Sequence, residues 1–232
     1  MLEVRDLHTY YGDSYILQGV SLRVEPGQVV AVLGRNGVGK TTLLRSVMGL
    51  TPPRRGQVLL EGRDITGLAP HRISRLGIGY VPQGRRIFNS LTVHENLAVV
   101  ERPRSAARPW PMTRVLELFP ILLERATQFA ASLSGGQQQM LAIGRGLLTN
   151  PKLLVMDEPT EGLAPLIVRE LEETLRTLKA SGASILLAEQ RFGFALSVAD
   201  RAYILAHGRT VAEGAPDELW DNQAIKHTYL GV

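Results

Sequence analysis

The sequence predicts an α/β fold with a mixed-sheet core, an antiparallel β subdomain at the N-terminus and an inserted α-helical subdomain. A β-branched apolar run at 29–33 stops at a glycine-rich turn, and a helical pattern starts at Thr42. Two later apolar runs, at 152–159 and 184–190, end in acidic or amide residues, which is typical of buried parallel strands that end at a ligand-binding edge. The 232 residues are enough for one sizeable core.

The turn after the first core strand has the pattern of a phosphate-binding loop. Residues 34–41 fit G-x-x-x-x-G-K-[ST] between a strand and a helix. Glycines leave room for backbone N–H groups to face phosphate oxygens, and the following helix adds the positive end of its dipole. Lys40 can reach the β- and γ-phosphates and the Thr41 hydroxyl can ligate Mg²⁺, whereas the alternative is a glycine-rich surface turn. The residues expected to contact nucleotide here are Gly34, Asn36, Gly37, Gly39, Lys40, Thr41 and Thr42.

The remaining elements follow from periodicity and turn residues. Short alternating runs before residue 30 predict antiparallel strands that lead into the phosphate-loop strand. The other predicted elements are strands at 57–62 and 78–83, helices at 42–48, 70–76, 92–100, 112–125, 138–148, 166–180 and 195–198, a surface loop at 102–111 and a hairpin at 203–212. The whole chain, 1–232, is expected to be a single domain, with a core of 1–84 and 151–232 and a helical subdomain of 85–150.

Two adjacent acids end the apolar run at 152–159. Carboxylates are rarely buried without a task, and at the carboxyl end of a core strand Asp157 can hold Mg²⁺ through its waters. Glu158 can accept a proton from the water that attacks the γ-phosphate. The alternative is that Asp-Glu-Pro merely starts a helix. Gln83 also follows a predicted strand, where its amide either ligates Mg²⁺, positions a water or serves as a turn residue.

Two further segments are candidates for nucleotide contact. Tyr11 lies at a turn where it can stack on an adenine face or simply pack on the surface. The second segment places a serine and two glycines before a helix, which forms either a ready anion site or an ordinary serine N-cap. Its residues are Ser134, Gly135, Gly136 and Gln137.

Composition excludes several classes of protein. Cysteines are absent from the sequence, which excludes disulfides and thiolate metal sites and fits a reducing cytosol. The five histidines are scattered and no apolar run approaches 18 residues, so neither a zinc site nor a membrane span is expected. The net charge of +4 is mild, and the arginine clusters lack interleaved aromatics, so no nucleic-acid partner is expected.

Together these segments resemble the ATP-binding subunit of an ABC transporter over essentially the whole chain. The loop at 34–41, Gln83, the segment 133–137 and the pair Asp157-Glu158 match the family's motifs in order and spacing, and Tyr11 falls at its adenine-stacking position. The resemblance implies ATP and Mg²⁺ as cofactors. It also implies a head-to-tail dimer, in which Ser134 of one subunit closes on the ATP held by the other, and a location on the inner face of the cell membrane.

Two departures from the family pattern stand near the expected reaction centre. Gln190 occupies the position of the usual switch histidine, and Ala164 that of the usual loop aspartate. Glutamine can donate a hydrogen bond to a γ-phosphate but carries neither a titratable proton nor a positive charge. Gln190 is therefore kept as a catalytic candidate, with the expectation of slow hydrolysis or of dependence on a second, different ATPase subunit.

The same departures make the chain similar to the paired ATPases of branched-chain amino-acid importers, and also to urea importers. Such ATPases work beneath two transmembrane permease subunits that are supplied by a periplasmic substrate-binding protein. Soluble ABC ATPases of DNA repair or translation share the motifs, but they usually have two ATPase units or a long insertion, and the sequence shows neither. A non-catalytic nucleotide-gated module would lack Lys40 or Glu158, and both are present.

Overall fold

The structure is a computed structural model that describes residues 1–101, 110–225 and 228. The strands are β1 (Leu2–Tyr11), β2 (Ser14–Val24), β3 (Val29–Leu33), β4 (Arg55–Leu60), β5 (Arg63–Asp64), β6 (Ile78–Val81), β7 (Leu153–Asp157), β8 (Ser184–Glu189), β9 (Arg201–Ala206) and β10 (Arg209–Gly214). The helices are α1 (Lys40–Val47), α2 (Pro70–Arg75), α3 (Val93–Ala98), α4 (Met112–Leu118), α5 (Pro120–Glu124), α6 (Gly135–Leu148), α7 (Pro165–Ala180), α8 (Phe192–Val198), α9 (Pro216–Asp221) and α10 (Gln223–Ile225), with a 3₁₀ helix at Ala130–Ser132. Most of the loop predicted at 102–111 lies outside the described residues.

One six-stranded sheet contains the phosphate-loop strand. Its strand order is β10-β9-β3-β8-β7-β6. The pairs β9–β3, β3–β8, β8–β7 and β7–β6 are parallel, and β10 pairs antiparallel with β9. The mixed sheet and the hairpin predicted at 203–212 are therefore confirmed.

A second sheet holds the N-terminal strands, in the antiparallel order β2-β1-β4-β5. Leu2 lies opposite Val24 on one side and Leu60 on the other. The antiparallel pairing is as predicted, and along the chain these strands lead into the phosphate-loop strand as predicted. The turn at 25–28 carries the chain into the other sheet, where β3 pairs with β8 and β9.

The phosphate-loop strand is buried on both faces. Val29, Ala31 and Leu33 pack in one hydrophobic cluster, and Val30 and Val32 pack in another, because successive side chains of a strand point to opposite faces. The first cluster includes residues of α6, α7 and α8, and the second includes residues of α1 and of the antiparallel sheet. A strand in this position must be apolar at every residue, which is why β3 is a continuous run of valine, alanine and leucine.

Several helical predictions differ in their limits from the structure, and α6 and α8 each begin three residues earlier than predicted. The helix after the phosphate loop begins at Lys40 rather than at Thr42. The stretch 112–125 is two helices, because Pro120 has no backbone N–H and disfavours helical geometry at the preceding residue. Phe119 accordingly has φ −128° and ψ 73°.

Candidate functional site

The parallel register brings the phosphate loop and the acidic strand end to one edge of the six-stranded sheet. Leu33, the last residue of β3, lies opposite Glu189, and Asp157 at the end of β7 lies opposite Ala188. The carboxyl ends of β3, β7 and β8 therefore meet side by side. This is the edge at which open α/β sheets bind ligands.

The phosphate loop turns tightly at this edge, and at two of its positions only glycine fits this turn. A Cβ on Gly34 would lie 2.4 Å from the backbone oxygen of Leu205. Gly39 has φ +111°, a left-handed conformation that side chains rarely adopt. Gly39 also caps α1, and no described side chain caps that N-terminus by a hydrogen bond. The first N–H groups of α1 are therefore available to an anion.

Lys40 folds back into the loop and is only 3% exposed. Its Nζ donates to the backbone oxygens of Gly34 at 2.8 Å and Arg35 at 3.1 Å. It also forms an ion pair of 3.0 Å with Oε1 of Glu158, whose side chain is 9% exposed. The residue expected to bind phosphate and the residue expected to activate water are thus paired with each other.

Asp157 lies beside the start of α1. Thr41 Oγ1 donates to Asp157 Oδ1 at 3.1 Å, and the Tyr80 hydroxyl donates to Oδ2 at 3.4 Å. Burial raises the pKa of Asp157 to about 6, with a further increase from the charge of Glu158, while the hydrogen bonds from Thr41 and Tyr80 and the charge of Lys40 oppose it. Burial likewise raises the pKa of Tyr80.

The oxygen atoms around Asp157 suit Mg²⁺. Within the described ranges, no three His, Cys, Asp or Glu residues cluster as a self-sufficient metal site. Protein Mg²⁺ sites at nucleotides commonly use one or two carboxylates or hydroxyls, with phosphate oxygens and water completing the octahedron. The adjacent oxygens of Thr41 and Asp157 fit such a partial set.

We expect Asp157→Asn to stabilise the chain at pH 8 in the absence of nucleotide and divalent metal. Because the folded-state pKa is raised, the folded chain binds this proton more tightly than the unfolded chain, and the free energy of unfolding falls as pH rises from about 4 to above 6. At about 1.4 kcal/mol per pH unit, the variant should gain up to about 3 kcal/mol at pH 8. Urea unfolding in EDTA at pH 4 and pH 8 measures this, and an equal difference at both pH values would contradict it.

Glu158 occupies a strained turn directly after β7. Its φ is +47°, in the left-handed region that is costly for a non-glycine residue. Its N–H donates to the backbone oxygen of Ala188 at 2.9 Å, which ties the turn to β8. A cavity of about 210 Å³ adjoins it. The other residues that line this cavity are Asn36, Thr160, Glu161, Gly162, Glu189, Gln190 and Arg191.

Gln83 and Gln190 lie at the same edge with different partners. Gln83 Nε2 donates to Glu161 Oε2 at 3.0 Å, so its side chain contacts the loop after Glu158 rather than Asp157. Gln190 lines the cavity beside Glu158. The roles of both side chains in catalysis and metal binding stay predictions.

The segment 134–137 caps the N-terminus of α6. Ser134 Oγ accepts from the N–H of Gln137 at 3.4 Å, and Gln137 Oε1 accepts from the N–H of Ser134 at 3.0 Å, which together form a capping box on α6. Gly135 and Gly136 form the first turn of that helix. Ser134 is exposed, and none of its described hydrogen bonds reaches Lys40. Contact of this segment with a nucleotide stays a prediction.

Tyr11 lies at the end of β1 with its side chain 44% exposed. Thr51 Oγ1 donates to its hydroxyl at 3.4 Å. Adenine binding by Tyr11 stays a prediction.

Sequence reasoning missed the role of Glu189, which it treated only as a polar strand end. The side chain is 1% exposed, and burial raises its pKa, opposed by hydrogen bonds from Thr160, Arg191 and Gln190. Asp157 has the same pattern in the sequence, since each residue is an acid at the end of a strand whose interior is apolar. That pattern could have identified Glu189.

Comparison with known proteins assigns the family. A family model described as ABC transporter matches residues 17–161. The high-affinity branched-chain amino acid transport ATP-binding protein BraG of Pseudomonas aeruginosa is 43% identical over 235 residues, which cover 100% of both chains. The chain belongs to the ABC transporter family. It is an ABC ATP-binding subunit and an ATPase, and the resemblance found in its motifs is confirmed.

Other relatives of the ABC family agree on the fold and differ in the transport they serve. The lipopolysaccharide export system ATP-binding protein LptB of Escherichia coli is 35% identical over 234 residues, covering 99% of this chain and 97% of its own. A nucleotide-free ATP-binding cassette from an ABC transporter superposes with a TM-score of 0.86 at 31% identity, covering 97% and 96% of the two chains. A dimeric ATP-binding cassette, MJ0796 bound to ADP and phosphate, has a TM-score of 0.79 at 25% identity, covering 93% and 99%.

Proposed function

We propose that this ABC ATPase powers an importer for branched-chain amino acids. The observation that carries the proposal is the 43% identity to BraG over the whole of both chains, against 35% to LptB. The pair Glu189-Gln190, which the sequence shares with the paired ATPases of such importers, adds to it. A urea importer and the export system of LptB are the alternatives within the family, and an ABC ATPase without a transport role is the alternative outside transport.

In the proposed reaction, the N–H groups at the start of α1 and the Lys40 ammonium bind the β- and γ-phosphates of ATP. Thr41, Asp157 and Gln83 would hold a magnesium ion, which neutralises charge on the phosphate oxygens when bound. The Lys40 ammonium group, which is ion-paired with Glu158 in the absence of nucleotide, then binds the phosphate oxygens instead. The Glu158 carboxylate is then free to accept the proton of the attacking water. Gln190 donates a hydrogen bond toward the γ-phosphate.

A second ATPase subunit completes the proposed site. The exposed Ser134 and the first turn of α6 offer a second anion site, and the hydrogen bonds described for Ser134 go to Gln137 rather than to the phosphate loop of its own chain. In a head-to-tail pair, residues 134–137 of one subunit contact the ATP bound to the other. ATP then holds the pair closed and its hydrolysis releases the pair, which gives the membrane subunits a cycle of two states.

The proposed location is the cytoplasmic face of the cell membrane, where the ATPase binds two transmembrane permease subunits. In the parts of the chain that the structure describes, no helix is long and apolar enough to cross a bilayer. The ATPase contacts the importer's permeases, while a periplasmic binding protein delivers the amino acid. The substrate itself does not contact this chain.

Reconstitution tests the proposed transport role. The tagged chain is purified from gently solubilised membranes, and its partners are identified by mass spectrometry. We expect two polytopic membrane proteins and a second ATPase, and ATP hydrolysis in proteoliposomes that is stimulated by the binding protein with leucine but not with urea. Stimulation by urea alone would move the assignment to a urea importer. Recovery of the chain only with ribosomes or DNA would favour the soluble ATPase.

We expect Gln190→His to raise the rate of ATP hydrolysis. A histidine at this position can carry a positive charge and a transferable proton toward the γ-phosphate, which glutamine cannot. The measurement is steady-state phosphate release, with Gln190→Asn as the control that keeps an amide. An unchanged or lower rate in Gln190→His would count against a role for the missing histidine.

A further inference from the structure

The carboxylate of Glu189 forms hydrogen bonds to two loops of the site, the loop after Glu158 and the loop after β8. Oε1 accepts from the backbone N–H of Thr160 at 3.1 Å and from its Oγ1 hydroxyl at 2.6 Å. Oε2 accepts from the backbone N–H groups of Gln190 at 3.0 Å and Arg191 at 3.1 Å. One buried side chain therefore binds the loop after Glu158 with one oxygen and the loop after β8 with the other.

The contacts of Glu189 complete the support of the turn that carries Glu158. The N–H of Glu158 is bonded to the backbone oxygen of Ala188, and two residues later Thr160 is bonded to Glu189. The turn is thus fixed on both sides to the last two residues of β8. A left-handed glutamate persists only where its surroundings over-determine it, and these bonds provide that constraint.

We propose that Glu189 is a positioning residue of the ATPase reaction, which holds Glu158 and Gln190 in a fixed mutual geometry. Glu158 then stays aligned for the water while Gln190 stays aligned for the γ-phosphate, although they belong to different loops. The inference rests on the proposed function, since it takes Glu158 as the base. Small displacements of such groups lower the rate strongly, because proton transfer requires hydrogen-bond distances.

The four hydrogen bonds to the Glu189 side chain require a carboxylate. All four partners of Glu189 are donors, and an ionised carboxylate is an acceptor at both oxygens. A glutamine of the same shape would accept from Thr160 with its oxygen but would present an NH₂ group to the N–H groups of Gln190 and Arg191. Glu189→Gln therefore breaks the link between the loops without opening a cavity.

Steady-state kinetics of the full chain test this role. We expect Glu189→Gln to lower kcat for ATP hydrolysis by about tenfold or more, with KM for ATP changed by less than about twofold, since the phosphate loop is untouched. Thr160→Val, which removes one of the four bonds, should lower kcat by about threefold. Because both substitutions weaken the same connection between the loops, kcat of the double variant should fall by less than the product of the two single-variant factors.

A matched control separates positioning from general destabilisation. Asn96 is also buried and has hydrogen bonds to the backbone of Phe88, Leu91 and Thr92. Asn96→Asp removes its donors without a change of shape, so we expect a lower melting temperature with an unchanged kcat. Hydrogen exchange should show faster exchange of the amides of Thr160, Gln190 and Arg191 in Glu189→Gln, and not in Asn96→Asp.

The outcomes distinguish this inference from the proposed function. Unchanged kcat and unchanged exchange of these amides in Glu189→Gln would overturn the positioning role. So would an equal loss of kcat in Asn96→Asp. If Glu158→Gln hydrolyses ATP like the unaltered chain, the proposed base is wrong, whatever Glu189→Gln does to amide exchange.

Discussion

Glu158→Gln is expected to lower kcat for ATP hydrolysis by about 10²- to 10⁴-fold and to leave ATP binding intact. Glutamine has the shape of glutamate and can still accept a hydrogen bond from Lys40 with its amide oxygen, but it cannot accept the proton of the attacking water. The bound nucleotide should therefore persist as ATP. Steady-state phosphate release and equilibrium binding of a fluorescent ATP analogue measure the two quantities separately.

A remote substitution of the same chemistry is the control for Glu158→Gln. Glu172 on α7 is ion-paired with Arg176 at the surface, and Glu172→Gln should leave kcat unchanged because exposed pairs contribute little. A Glu158→Gln variant that keeps more than about a tenth of the unaltered rate would show that another group takes the proton. The cavity beside Glu158 directs the search to Glu161, the exposed carboxylate that also lines it.

Local patterns in the sequence were enough to predict the elements that carry the site. β3, β7 and β8 are buried along their whole length, and between their end residues they are apolar because both faces are covered. The loop at 34–41 is defined by its own spacing. The acids at the ends of β7 and β8 meet the phosphate loop because parallel strands align their carboxyl ends. The helical split at Pro120 was also present in the sequence, and the periodicity of 112–125 concealed it.

The pairings between site residues could not be predicted in the same way. Gln83 and Glu161 are 78 positions apart, and the bond between them depends on the relative placement of two loops. The ion pair of Lys40 with Glu158 likewise depends on a lysine that folds back into its loop. Neither arrangement leaves a periodicity or a spacing in the chain, because each is fixed by tertiary packing rather than by neighbouring residues.

The ion pair between Lys40 and Glu158 also contributes to the free energy of unfolding in the absence of nucleotide. Lys40→Met removes the only described ion-pair partner of a carboxylate that is 9% exposed, and leaving one charge of a buried pair uncompensated typically costs about 3–5 kcal/mol. We therefore expect the free energy of unfolding to fall by that amount without nucleotide. ATP binding should also be lost, since the cation that meets the β- and γ-phosphates is gone.

The double variant Lys40→Met/Glu158→Gln separates the two effects. With both charges removed, most of the lost stability should return, apart from about 1–2 kcal/mol for the bonds that Lys40 donates to the oxygens of Gly34 and Arg35. ATP binding should stay absent.

Urea unfolding of the four proteins in a double-mutant cycle gives the coupling between the residues. If the two losses simply add, the pair contributes nothing, and ATP need not displace Glu158 from Lys40. A large coupling means that phosphate must replace Glu158 as the partner of Lys40, so that the same exchange which binds ATP frees the base.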